Sequence, residues 1–75
     1  MPHATTVIIA DLLPGTRAYT DLYRESPPIL VIDTGPTELQ LAVPADRVTL
    51  EDLSIVDALL EAAAAYRTAL LAHLD

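Results

Sequence analysis

The sequence predicts an α+β domain: a small antiparallel sheet of an N-terminal strand plus a β-hairpin, with a short helix or turn and one long C-terminal helix packed on it. Three observations carry that expectation. Residues 5–12 are β-branched and mostly apolar, residues 29–43 hold two strand-like runs around Thr34-Gly35-Pro36, and residues 49–74 are apolar at helical spacing. Seventy-five residues make a single domain, near the lower limit at which one core is stable without a staple.

The first run, Thr-Thr-Val-Ile-Ile-Ala-Asp-Leu over 5–12, reads as a strand buried on at least one face. Leu13-Pro14-Gly15 then ends it with a turn. Thr16 can cap a short helix over residues 16–25, in which Ala18, Tyr19, Leu22 and Tyr23 share a face and Arg17 meets Asp21 at i+4. The same residues could also form an irregular strand. Ser26-Pro27-Pro28 breaks the pattern, and Pro28 starts the strand Ile29-Leu30-Val31-Ile32 without a ladder donor. After the turn at 34–36 the chain alternates, with Leu39, Leu41 and Val43 on one side and Glu38, Gln40 and Ala42 on the other.

The start of the last helix is the most sharply specified point. Thr49 and Asp52 stand at capping-box spacing, and Val48 and Leu53 occupy the positions of a hydrophobic staple. Glu51, Asp52 and Asp57 suit the positive end of the helix dipole, and Arg67 and His73 the negative end. About 25 residues at a 1.5 Å rise give a rod of roughly 37 Å, longer than a strand of four to six residues. It should therefore overhang its own sheet.

That helix is apolar almost all the way round. Ser54, Asp57, Glu61, Thr68 and Asp75 share one narrow polar wedge, while alanines 62, 65, 69 and 72 widen the apolar arc. A lone helix should show water a wide polar face, so a second copy or another protein is expected to cover this one. The candidate interface residues are Val56, Leu59, Leu60, Ala63, Tyr66, Arg67, Leu70 and Leu74. Arg67 lies inside the arc, either as an ion-pair partner of Asp11, Asp33 or a partner's carboxylate, or as a snorkelling stem. Tyr19, Tyr23 and Tyr66, the only aromatics, suit either core filling or an interface.

Composition narrows the function classes. Eleven acidic residues against four arginines give a formal charge of −7, which repels nucleic-acid phosphates and anionic membrane surfaces alike. Without cysteine there are neither disulfides nor thiolate metal sites, and two histidines near opposite ends make no metal pattern. No cofactor or metal is expected. No signal-peptide pattern or membrane span is visible, so the expected location is the cytoplasm. The absence of Lys, Asn and Phe beside abundant Ala and Leu points to a GC-rich bacterial or phage genome.

One string has a catalytic sound. Val31-Ile32-Asp33-Thr34-Gly35 resembles the aspartic protease signature, two apolar residues and then Asp-Thr-Gly. The resemblance implies a catalytic carboxylate at Asp33, braced by Thr34 in a loop that Gly35 permits, with the second aspartate supplied by a homodimer. It covers five residues; Pro36 departs from the pattern, and no second apolar-apolar-Gly element follows. The same residues are those a hairpin turn requires.

The reading these features favour is not an enzyme but a small acidic homo-oligomer, most simply a two-fold dimer, that acts by binding another protein. A second reading is an acidic regulator or inhibitor occupying a basic, nucleic-acid-binding site on its target. The third is a dimeric, retroviral-type aspartic protease.

Overall fold

The computed structural model describes residues 6–75, and its architecture is α+β: a three-stranded antiparallel sheet followed by one long C-terminal helix. The chain divides into two compact units, Met1–Pro44 and Ala45–Asp75.

The first unit carries β1 (Arg17–Asp21), β2 (Ile29–Asp33) and β3 (Glu38–Leu41), in spatial order β1-β2-β3. The expected hairpin is present, with Asp33 opposite Glu38 and Leu30 opposite Leu41. The remaining strand is not the expected one. Residues 6–12 carry no regular secondary structure, and Thr5 of the expected strand 5–12 lies outside the described residues. The third strand comes instead from 17–21, inside the segment read as a helix over 16–25 or an irregular strand. The reason is local. A ten-residue helix is marginal in water, whereas Tyr19 and Thr20 are strand formers that find β2 in register, Tyr19 opposite Val31 and Thr20 opposite Leu30.

Two glycine turns set this layout. Thr16 N–H donates to Leu13 O at 3.0 Å across Pro14-Gly15, with Gly15 at φ +89°. Proline first and a positive-φ glycine second are the requirements of a type II turn. Between β2 and β3 the two-residue loop is Gly35-Pro36, with Gly35 at φ +99°. A positive φ at the first loop position is what a II′ hairpin demands, and Pro36 has the negative φ needed at the second. Thr34 closes the loop: its N–H donates to Thr37 O at 2.9 Å, and its hydroxyl both donates to that carbonyl at 3.1 Å and accepts Thr37 N–H at 3.2 Å. This self-sufficiency lets Thr34 be buried.

Register divides the sheet into unlike faces. Arg17, Tyr19, Asp21, Val31, Asp33, Glu38 and Gln40 share one face, and Ala18, Thr20, Leu30, Ile32, Leu39 and Leu41 the other. Val31, at the centre of the middle strand, is fully buried and is the only buried hydrophobic residue among those described.

The second unit is α1 (Leu50–Leu71), 22 residues or roughly 33 Å at 1.5 Å per residue. Its start is as the sequence specifies. Asp52 N–H donates to Thr49 Oγ1 at 3.2 Å, and Thr49 N–H donates to Asp52 Oδ2 at 2.8 Å, completing the capping box. The helix ends at Leu71 with Ala72 as C-cap, so Leu74 and His73 stand beyond it, and no basic residue lies in its last turn.

Two substitutions probe these determinants by urea unfolding at fixed protein concentration. Thr49→Ala removes the cap and should cost about 0.5–2 kcal/mol, with reduced helical circular dichroism. Gly35→Ala meets no neighbouring atom within 4 Å, so its whole cost is the forced positive φ, about 1 kcal/mol or more.

Candidate interaction surface

α1 contains no buried residue. A single helix cannot shelter its side chains against itself, and this one has apolar groups on nearly every side. Leu59, 43% exposed, and Leu60, 65% exposed, sit on adjacent flanks, with Val56, Tyr66 and Leu70 also exposed. Ala63 and Arg67 are exposed on the same helix, and Leu74 follows it, exposed in turn. All eight sequence-designated interface residues thus lie at the surface. On the polar wedge, Thr68 Oγ1 donates back to Ala64 O at 3.2 Å, satisfying itself within the helix.

Asp33 occupies the end of β2, and both its carboxylate oxygens are engaged in structure. Oδ1 accepts Gly35 N–H at 2.9 Å, a turn brace of the Asx kind. Oδ2 lies 3.5 Å from Arg17 Nη2, across the strand pair that sets Arg17 opposite Asp33. Thr34, the companion residue in the protease-like string, spends its hydroxyl on Thr37. The geometry at 33–35 is that of a braced hairpin. Arg17 also stands over the Tyr19 ring, 5.2 Å from its centroid. The i+4 partner expected for Arg17, Asp21, gives way to the cross-strand Asp33, because a strand turns i+4 neighbours out of reach while pairing directly opposite residues.

Tyr23 follows β1, and its hydroxyl donates to Asp21 Oδ2 at 3.4 Å. The nearby Asp21 charge, more than any desolvation, raises the Tyr23 phenol above its ordinary value. Among the described residues no three His, Cys, Asp or Glu side chains gather as a metal site. No helix there is long and apolar enough to cross a membrane.

The surface that sequence reasoning missed is at the other end of the chain. Val7, Ile8, Ile9 and Leu12, expected in a strand buried on at least one face, are all exposed, Ile9 to 87%, as is Leu13 at the turn that follows. The signal that could have found them is Pro14. A proline at the first position of a two-residue turn excludes the positive φ that tight hairpins need, so the run before it cannot fold straight back onto the strand after it.

Asp33→Ala should destabilise the sheet by about 1–2 kcal/mol, through the lost turn brace and the lost ion pair. Asp33→Asn keeps an acceptor for Gly35 and should cost under about 1 kcal/mol in the same urea titration. In an ultraviolet alkaline titration, Asp21→Asn should bring the Tyr23 phenolate transition down towards the value of an isolated tyrosine. No protein-family model matches the chain, and neither a curated protein nor a solved structure is significantly similar to it.

Proposed function

We propose that this chain is a non-enzymatic interaction module, a small acidic homo-oligomer whose α1 surface mediates assembly and whose assembled form binds another protein. One observation carries the reading: a 22-residue helix, apolar around most of its circumference, has no buried side chain. Most helical stability in proteins comes from packing an apolar face rather than from propensity, and this helix leaves its apolar face uncovered. A second copy supplies such a cover with the same side chains, which makes a two-fold pair the simplest closed arrangement.

The magnitudes are compatible. Fully burying a leucine or valine is worth roughly 1.5–3 kcal/mol, and a two-fold contact counts each residue twice. A few of the exposed leucines therefore offset an association cost of about 4–15 kcal/mol. The polar wedge with Asp57 and Glu61 would remain outside, keeping the assembly acidic and dispersed. Engagement of both Asp33 oxygens in the hairpin supports the non-enzymatic reading over a protease. A cysteine-free chain fits a reducing compartment, and we place the protein in the cytoplasm of a bacterium or its phage.

Light scattering coupled to size exclusion should give a mass above that of one chain at micromolar concentration. Leu60→Asp and Leu70→Asp should each weaken self-association at least about 100-fold, since each removes buried apolar area and introduces a carboxylate into it. A monomeric wild type, or both variants folded and fully assembled, would overturn the reading.

A further inference from the structure

We propose that residues 6–12 form an exchanged strand, lying antiparallel along the outer edge of β1 of a second copy while that copy's own arm returns the contact. The arm has the composition of a strand, with Val7, Ile8 and Ile9 in succession, yet its side chains are exposed and, among the described residues, its backbone makes no ladder. β1 is an edge strand, and its outer side likewise has no backbone partner among the described residues. One chain thus carries both an unpaired strand and an unpaired edge, each a liability left alone.

The turn at 13–16 explains why they do not meet within one chain. A two-residue hairpin through Pro14-Gly15 would need a positive φ at Pro14, which its ring forbids. It would also pair Leu13 with Thr16 and so set Asp11 opposite Ala18, on the apolar face of the sheet. A slip of one residue turns every side chain over. A three-residue loop would repair that parity, but over 13–15 it places Pro14 third in a type I turn, where proline is disfavoured, and over 14–16 it requires a left-handed Thr16, whereas among the described residues only glycines have positive φ. An arm from another chain has neither constraint.

Charge selects both the edge and the register. With Asp11 opposite Arg17, Ile9 falls opposite Tyr19 and Ala10 opposite Ala18. Arg17 is 69% exposed and already holds Asp33 at 3.5 Å, and its forked donors leave room for a second carboxylate. Ile9 on Tyr19 is a favourable β-branched–aromatic pair. Ile8, Ala10 and Leu12 then extend the apolar face formed by Leu30, Ile32, Leu39 and Leu41. The opposite edge is the wrong one, because on β3 the same face presents Glu38 to Asp11.

A second copy is the occupant these numbers favour. Each chain has one arm and one β1 edge, so a reciprocal pair closes with nothing left over. A seven-residue extended segment presents roughly 1,000 Å² at about 1.45 Å² per dalton. Covering half of each arm, together with the two edges beneath, passes the ~1,000 Å² expected of a specific interface.

The exchange deepens the homo-oligomer reading but uses a surface separate from α1. The chain has no cysteine, so engineered ones report without background. Ala10→Cys in one full-length copy is mixed with Ala18→Cys in a mass-tagged second copy and oxidised. Directly opposed residues stand about 4.5–5.5 Å apart, within disulfide reach. The expected product is a mixed disulfide dimer, at least about five-fold above an Ala10→Cys and Thr20→Cys mixture, whose diagonal separation is ~7–8 Å. Yields no higher than that control, or closure within one chain in an Ala10→Cys/Ala18→Cys double variant, would overturn the exchange. If Leu60→Asp dissociates the protein while the cysteines fail to join, the helix reading stands and the exchange falls. If they join in an assembly that Leu60→Asp leaves intact, the reverse holds.

Discussion

The constraint behind this molecule is a shortage of interior. Val31 alone among the described hydrophobic residues is fully out of water, and it sits at the middle of a sheet whose strands are four or five residues long. Hydrophobic burial is the dominant favourable contribution to folding, so a chain that buries so little by itself must rely on something else. Part of the answer is local chemistry. Thr34 satisfies its own turn, Asp33 braces Gly35, and Thr49 and Asp52 close the helix start on each other. These bonds hold shapes with little help from a core. They do not remove greasy surface from water.

The elements readable in the sequence are those whose determinants lie within a few residues. The capping box needs only Thr49 and Asp52, and the hairpin needs only alternation and Gly35-Pro36, so both stand where the residues put them. The long apolar helix was legible for the same reason. The strand at 17–21 was not, because Ala18, Tyr19, Leu22 and Tyr23 fit helical spacing as well as they fit a ladder. Only pairing with β2, a contact between residues distant in sequence, decides it. Residues 6–12 misled in the opposite sense. Their side chains specify a strand, but a strand also needs a neighbour, and the turn after them withholds one.

The candidate site shows the same division. The eight designated residues lie at the surface, seven on α1 and Leu74 just beyond it, as the breadth of the apolar arc beside one narrow polar wedge leads one to expect. The fate of Asp33 is not legible in this way. Asp-Thr-Gly can hold a catalytic carboxylate or a tight turn, and the letters are identical in both. The structure adds where the oxygens point, one to Gly35 and the other towards Arg17. The ion pair on its own contributes little, as exposed pairs do. Its value is directional: it ties β1 to the end of β2 and leaves Arg17 at the rim with a guanidinium only partly used.

The brevity of the Gly35-Pro36 loop has a consequence for biogenesis. Joining ends two residues apart exacts almost no closure entropy, and the helix is likewise made from near neighbours along the chain. Such local architectures mature quickly. The hairpin can therefore be complete before any contact between residues distant in sequence has formed. In the assembly we propose, the slow step would then be an encounter between finished pieces, with a rate set by how much protein the cell makes.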